Sequence, residues 1–287
     1  GLAHAWIFLA LSNQSDPDDA WPRAEALARR ALALDSSAAN AWLVLASEDE
    51  YLHLDLARAG ERLLHARKLD SLDADVPGMR SVWFRFHGDM DSAVVEAQRA
   101  HRLDPFSLML ERLLAKQLYY ARRYDESRQA FLRMLQNSPS RLRGYRDLAQ
   151  LSVATGHPRE AVDWLHQALA ADGDSVGAAA LPTATTDDDA KRLLAREARR
   201  TIARMERAAR AHERIMPATV ASAYAALGDT AATLRWLDSI RVQHDTYLNI
   251  VRVDPAFDFL RNEPAYRAWD DRSGLPRMKG LVEKLPP

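Results

Sequence analysis

Residues 142–175 read LRGYRDLAQLSVATGHPREAVDWLHQALAADGDS, and these thirty-four residues hold one complete structural unit. Tyr145, Leu148 and Ala149 recur at the spacing of one helical face. Ala161, Leu165 and Ala168 do the same further on. Between them, Gly156-His157-Pro158 supplies a turn, and Pro158 suits a first helical position, where its missing N–H is not needed. The unit therefore predicts two amphipathic helices joined by a tight turn. Ala149, Ala161 and Ala168 are small, so the helices can approach closely there, while Tyr145, Leu148 and Leu165 fill the space between them.

Outward from this stretch the same plan returns. Unit 108–141 predicts a helix from Leu108 to Ala121, a turn at Arg122-Arg123, a helix from Asp125 to Gln136 and a stop at Pro139. Unit 74–107 predicts helices Val76–His87 and Asp91–Arg102 around Gly88-Asp89, with a stop at Asp104-Pro105. Ala24, Ala59, Ala93, Ser127 and Ala161 fall at intervals of 35, 34, 34 and 34. Ala31, Ala66, Ala100, Met134 and Ala168 follow seven residues behind, and Ser36, Ser71, Pro105, Pro139 and Gly173 close the units. A fixed period near 34 residues marks a helical repeat array. Neither helix of a unit buries its apolar stripe alone, so neighbouring units must stack.

Composition narrows the function classes. The 287 residues are 47% hydrophobic, enough for an extensive core. Charge is balanced, 39 basic against 40 acidic residues, which argues against a dedicated nucleic-acid binder. Without a cysteine, thiolate nucleophiles, thiolate metal sites and disulfides are excluded, and both cytoplasm and periplasm stay open as compartments. No apolar run approaches the ~18 residues of a membrane-spanning helix. The apolar stretch Ala3–Leu11 lacks the basic start and cleavage pattern of a signal peptide and reads as a core helix. The chain begins with Gly1 rather than Met, which reads as a piece of a longer protein.

Unit 142–175 resembles the tetratricopeptide repeat (TPR) family, whose marks fall on Tyr145, Ala149, Gly156, Ala161 and Ala168, with Gly173 where the family has proline. In unit 74–107 they fall on Ser81, Gly88, Ala93, Ala100 and Pro105, although Pro77 departs at the early position. The first two units are looser, and the second carries one extra residue. The resemblance implies an all-α fold, a right-handed TPR superhelix of antiparallel helix pairs, with five pairs across 1–173. Residues 174–287 then hold a linker, a long Arg-rich helix, a TPR-like pair and a capping tail. The linker is expected at Ala171–Asp189, the long helix at Asp188–Ile215 with Thr185-Thr186-Asp187 as cap and Pro217 as terminator. Leu194, Ile202, Met205 and Ala209 mark its apolar face, and Arg192, Arg196, Arg199, Arg200, Arg204, Arg207, Arg210 and Arg214 decorate it. Glu197, Glu206 and Glu213 stand at pairing distance, so a solvated face is the default reading.

The tail carries a second resemblance. Tyr224-Ala225-Ala226-Leu227-Gly228-Asp229, Trp236-Leu237, Val253-Asp254-Pro255-Ala256-Phe257-Asp258-Phe259-Leu260-Arg261, Pro264-Ala265-Tyr266 and Gly274-Leu275-Pro276 are similar to the ending of TPR regions in bacterial signalling proteins. Those include winged-helix transcription regulators of the cadaverine-operon activator type, adenylate cyclases and serine/threonine kinases. The resemblance implies a sensory or regulatory role.

Local motifs for catalysis are missing. His212-Glu213 lacks the second histidine of a zinc-binding H-E-x-x-H. Neither a phosphate-cradling glycine loop nor a G-x-S-x-G elbow occurs. Asp70, Asp73 and Asp75 alternate like a calcium loop, but Val76-Pro77 follows where glycine is needed, so turns and a helix cap are expected. His53, His65 and His101 read as surface or interhelical residues. Trp83, Phe84 and Phe86 read as packing between units, and Phe259, Tyr266 and Trp269 as packing that seals the C-terminal end. No catalytic set, cofactor or metal is implied.

The TPR resemblance also implies a concave groove lined by the first helix of each unit. Its lining positions are Arg85 in the third unit, Met109, Arg112, Lys116 and Tyr119 in the fourth, and Arg143, Arg146, Gln150 and Val153 in the fifth. Arg85, Arg112, Lys116, Arg143 and Arg146 are cationic and none of the set is acidic. Such a groove suits an acidic peptide or a C-terminal carboxylate, giving a protein or peptide partner. The plainer alternative is a solvated face whose charges pair with Glu111 or Asp147. Self-association as a homo-oligomeric scaffold, and service to an upstream cyclase or kinase domain, are the other readings.

Overall fold

The computed structural model describes residues 2–11, 15–137, 142–213, 215–242 and 247–275. Among these the chain is all-α. The helices are α1 (Leu2–Leu11), α2 (Pro17–Leu34), α3 (Ala39–Glu48), α4 (Leu56–Leu69), α5 (Asp75–Phe86), α6 (Met90–Leu103), α7 (Leu108–Tyr120), α8 (Tyr124–Asn137), α9 (Leu142–Ala154) and α10 (Pro158–Ala171). Then follow α11 (Ser175–Ala179), α12 (Asp187–Arg210), α13 (Pro217–Ala226), α14 (Thr230–Val242), α15 (Leu248–Val251) and α16 (Pro264–Asp271). A π-helical turn, Asp49–His53, continues α3, and a 3-10 turn, Pro255–Leu260, precedes α16. The stop expected at Pro139 lies outside the described residues.

The molecule divides into two compact units, Gly1–Leu113 with Gly274–Pro287, and Leu114–Ser273. In the first, α1 packs on α2, α3 on α4, and α5 on α6. In the second, α9 packs on α10 and α13 on α14, while the Ser127 hydroxyl of α8 donates to the Ala115 carbonyl of α7 at 2.8 Å. The periodic small residues are the contact points. Ala59, Ala93, Ser127 and Ala161 are fully buried and Ala24 nearly so; Ala66, Ala100 and Ala168 are fully buried behind them. Each methyl group or hydroxyl there marks a close helix crossing, and a larger side chain costs about 1–3 kcal/mol in overpacking.

The hairpin turns share one backbone device. Leu54, Gly88, Arg122 and Gly156 lie 34 residues apart and all take positive φ: +50°, +70°, +63° and +76°. At the last three, the residue after the left-handed one bonds back across the helix end: Asp89 N–H to Phe84 C=O, Arg123 to Leu118, His157 to Ser152. This six-residue closure satisfies carbonyls that the helix end leaves open. In the second pair, Asp55 N–H reaches one residue further, to Asp49 C=O. The extra residue of the 35-residue interval lies between Ser36 and Ala59. The π-turn in that interval absorbs it, as a wider helical turn absorbs a one-residue insertion.

That π-turn buries Asp49 and Glu50 completely. Asp49 accepts ion pairs from Arg58 and from Arg62, the latter at 3.0 Å. Burial pushes the Glu50 carboxyl well above the usual carboxylate range, against the opposing pull of Arg85.

Several expectations are met. Thr186 caps α12, its hydroxyl accepting from Asp189 N–H at 3.1 Å. Asp70 accepts from Leu72 and Asp73 N–H, and Asp73 from Asp75 N–H, so this trio builds turns. Trp83 donates its indole N–H to Leu56 C=O at 2.7 Å, and Phe86 packs edge-on against Tyr51, which is packing chemistry.

Others are corrected. The expected linker contains α11, because Asp174 caps it by accepting from Gly177 N–H, and Arg200 in turn holds that carboxylate. The long helix ends at Arg210 rather than Ile215, closing on His212 at φ +56°. Pro217 opens α13 at its first turn instead of ending α12. The buried stripe of α12 is Ala190, Leu193, Ala198 and Ile202, while Ala209 is exposed. In the tail, Phe257, Tyr266 and Trp269 are buried as a seal, but Phe259 faces solvent. The 3-10 turn aims positions 257 and 260 inward and 259 outward.

Candidate functional site

Each predicted lining residue has a definite setting. In the first unit Arg85 is buried beside Glu50, Met109 is 58% exposed, and Arg112 is half-buried with a polar contact of its own. In the second unit Arg143 and Arg146 are exposed; Arg146 pairs with Asp172 at 3.1 Å across two solvated side chains. An exposed pair of this kind contributes about 0–1 kcal/mol, so another carboxylate can readily replace Asp172. Val153 is also exposed.

Lys116, Tyr119 and Gln150 form a connected set in the second unit, and the chain itself covers them. Lys116 sits 4.9 Å over the Tyr119 ring and 5.0 Å over Tyr120. Its ammonium donates to Gln150 Oε1 at 2.9 Å and lies 3.6 Å from Asp147. Asp147 is the pairing partner that the plainer sequence reading named. Gln150 passes the polarity on: its Nε2 donates to Asp254 Oδ2 at 3.1 Å. The Tyr119 hydroxyl donates to Asp254 Oδ1 at 3.2 Å, and the Tyr247 hydroxyl to Oδ2 at 2.6 Å. Ala256 N–H completes the shell at 3.0 Å, capping the 3-10 turn. Asp254 is fully buried, so this carboxylate stays in the interior only because donors surround it. Burial, then the Asp254 charge, raise the Tyr119 and Tyr247 phenols well above their ordinary value, so both remain protonated donors throughout the physiological range.

A second carboxylate sits four residues further along. Arg122 grips Asp258 through two bonds from Nη2, at 2.7 and 2.9 Å. Its other terminal nitrogen donates to Val253 C=O at 2.6 Å and to Tyr120 C=O at 2.8 Å. Arg261 adds a bond from Nε to Asp258 at 2.7 Å and another to the Arg252 carbonyl. The segment 253–258 is thus held at two acidic points and one carbonyl.

Arg122, Tyr247, Asp254 and Asp258 were not in the sequence-derived set. Two signals mark Arg122 and Asp254 in the sequence. Arg122 stands in the register of Gly88 and Gly156, at the left-handed turn position, where a side chain carries strain. Asp254-Pro255 is a helix-start signature in a tail of otherwise repeated form. Neither signal by itself pairs residues 136 positions apart, as Arg122 and Asp258 are.

No protein-family model matches the chain, and no curated protein matches it either. Solved structures do. PilW, described as a widely conserved type IV pilus biogenesis factor, aligns over 88% of this chain and 98% of its own, with 14% identity and a TM-score of 0.50. PilF of Pseudomonas aeruginosa aligns over 76% and 96%, at 19% identity and a TM-score of 0.47. YrrB, described as a TPR protein with an unusual peptide-binding site, aligns over 60% and 84%, at 19% identity and 0.43. These likenesses are of fold: an all-α array of TPR-type helix pairs. Among the described residues no helix is long and apolar enough to cross a membrane.

Proposed function

We propose that this chain is a non-catalytic, protein-binding TPR region of a bacterial signalling or transcriptional regulatory protein. It recognises a peptide or partner surface of acidic character through the first helices of its repeats. One observation carries the reading. The α7–α9 face of the second unit already holds a capped 3-10 turn of polypeptide by its carboxylates, using Tyr119, Gln150 and Arg122 as donors. A face with that chemistry suits acidic polypeptide in general. Beside it, the exposed Arg143 and Arg146 offer two further guanidinium groups. The similarity of residues 220–276 to the endings of signalling proteins supplies the regulatory context, with an output domain positioned or restrained by what the array binds.

The test is an array of immobilised acidic and neutral peptides probed with the wild-type chain and with Arg143→Glu/Arg146→Glu. Acidic peptides are expected to bind the wild type and to lose at least about tenfold in affinity, ~1.4 kcal/mol, against the variant. Equal binding by both chains would remove the cationic first-helix face from the function.

A further inference from the structure

The arginines of α12 form a ridge that the rest of the fold leaves unpaired. At ~100° and ~1.5 Å per helical residue, Arg192, Arg196, Arg199, Arg207 and Arg210 fall within an arc of about 80° and along about 27 Å. All five are exposed. The buried residues Ala190, Leu193, Ala198 and Ile202 lie on the opposite side, so the ridge is the side of α12 turned away from its core. The pairing with glutamates that the spacing allows is not made along it. Glu197 takes Arg200 instead, at 3.4 Å, and Arg200 also holds Asp174. Arg192 has Asp189 at 3.9 Å. Among the described residues, Arg196, Arg199, Arg207 and Arg210 have no ion pair or side-chain hydrogen bond, and neither has Glu206. Arg196 with Arg199, and Arg207 with Arg210, stand three apart, where like charges repel. A chain of net charge −1 thus keeps uncompensated cations together on one line.

We infer that the α12 ridge is a docking face for an anionic lipid surface, held by charge alone. This is independent of the peptide-binding reading, which uses α7 and α9. The partner follows from the shape of the ridge and from what flanks it. Between Arg192 and Arg210, Ala203 is the only other residue in the arc, so the line is convex and carries no large apolar side chain. A convex line offers a peptide no pocket in which to bury a side chain. A nucleic-acid groove embraces both flanks of a helix, and one flank of α12 carries the exposed carboxylates Asp188 and Glu206, which repel phosphates. A plane of headgroups touches the ridge alone, and all five guanidinium groups reach it at once. Their forks suit phosphate oxygens two bonds at a time. The apolar stripe of α12 is buried in the protein, so nothing enters the hydrocarbon. Attachment is therefore reversible and sensitive to salt.

The experiment mixes the full chain with vesicles of phosphatidylcholine, alone or with about 40% phosphatidylglycerol, at about 0.05 M and about 0.5 M salt, and measures co-sedimentation. Wild type is compared with Arg196→Gln/Arg199→Gln/Arg207→Gln/Arg210→Gln and with the same four positions changed to lysine. Wild type is expected to bind the anionic vesicles at low salt, to leave the neutral ones unbound, and to be released at high salt. At about fivefold per basic residue, the glutamine variant should lose at least about a hundredfold in partition, while the lysine variant stays within about tenfold of wild type. All four side chains are solvated, so helical circular dichroism should be the same in the three chains. No binding to anionic vesicles at low salt overturns the inference, and so does equal binding by wild type and the glutamine variant. Tighter binding to a DNA duplex or to a polyglutamate peptide than to vesicles of equal anionic charge overturns it too, and gives the ridge to that partner. None of these outcomes touches the peptide array, which reads Arg143 and Arg146.

Discussion

Arg122 combines a cost with a gain in one residue. A left-handed backbone costs a non-glycine residue roughly 1–2 kcal/mol. Against this, its guanidinium makes two bonds to Asp258 and one each to the Val253 and Tyr120 carbonyls, and bonds to charged groups contribute about 1.5–3 kcal/mol before discounting for solvent. The contacts outweigh the strain. Arg122→Gly is therefore expected to lower stability by about 1–2 kcal/mol in urea unfolding, even though glycine suits the backbone better. In an Asp258→Asn background the same change should cost less, because the charged partner is gone and the bonds to the Val253 and Tyr120 carbonyls remain against the strain relief. A stabilising Arg122→Gly in the native background would show that the clamp is weaker than the turn strain. Tyr119 and Tyr247 complete the same balance: both phenols stay neutral and aim at the Asp254 carboxylate, which is the form a buried acceptor requires.

The π-turn is the element where sequence irregularity becomes local chemistry. One residue beyond the 34-residue period widens a helical turn and brings Asp49 and Glu50 inside. Asp49 gains Arg58 and Arg62; Glu50 faces the opposing charge of Arg85 and is held well above the ordinary carboxyl value by burial. A raised carboxyl contributes stability that is complete below its unfolded pKa of 4.5 and lost as pH rises toward the folded value. Glu50→Gln keeps the shape and removes the titration. The variant is expected to melt higher than wild type at pH 7, and the margin should shrink as pH falls to about 4.5 and below. Thermal scans between pH 4 and 8 check both the sign and the window. A wild type that gains stability steadily above pH 5 relative to Glu50→Gln would contradict the buried neutral carboxyl. The Glu160 carboxylate behaves oppositely, held low first by the Arg128 hydrogen bonds, so its contribution is present above the usual carboxylate range and fades in acid.

At the scale of the molecule, the tail belongs to the core of the second unit. Val251, Val253, Phe257 and Leu260 are fully buried, with Tyr266 and Trp269 close behind. Burying each large apolar side chain is worth about 1.5–3 kcal/mol. Together they exceed much of the 5–15 kcal/mol that holds a domain. A chain ended after Val242 is therefore expected to lose one cooperative transition in calorimetry and to bind a hydrophobic dye. The transition of the first unit should persist at a lower temperature, since the truncation also removes Gly274–Pro287 from it. Retention of both transitions would mean that α7 to α14 close their core without the tail.

The helix pairs and their turns were legible in the sequence because they are local. A 34-residue period of small residues, an Asp or Thr at the start of a helix and a glycine at the end of one each act within a few positions, and the α5–α10 boundaries follow from them. Readings that depended on distant packing were less secure: which face of α12 is buried, whether Pro217 ends one helix or begins the next, and which tail phenylalanine turns outward. Register alone puts Lys116 and Tyr119 on one face of α7, and the fold brings Gln150 of α9 to them. What stands against that face was not legible. Asp254 meets Tyr119 across 135 residues and Gln150 across 104, and Asp258 meets Arg122 across 136. Periodicity assigns each residue to a face, whereas contacts at that separation exist only once the array has folded and brought its own end back onto it.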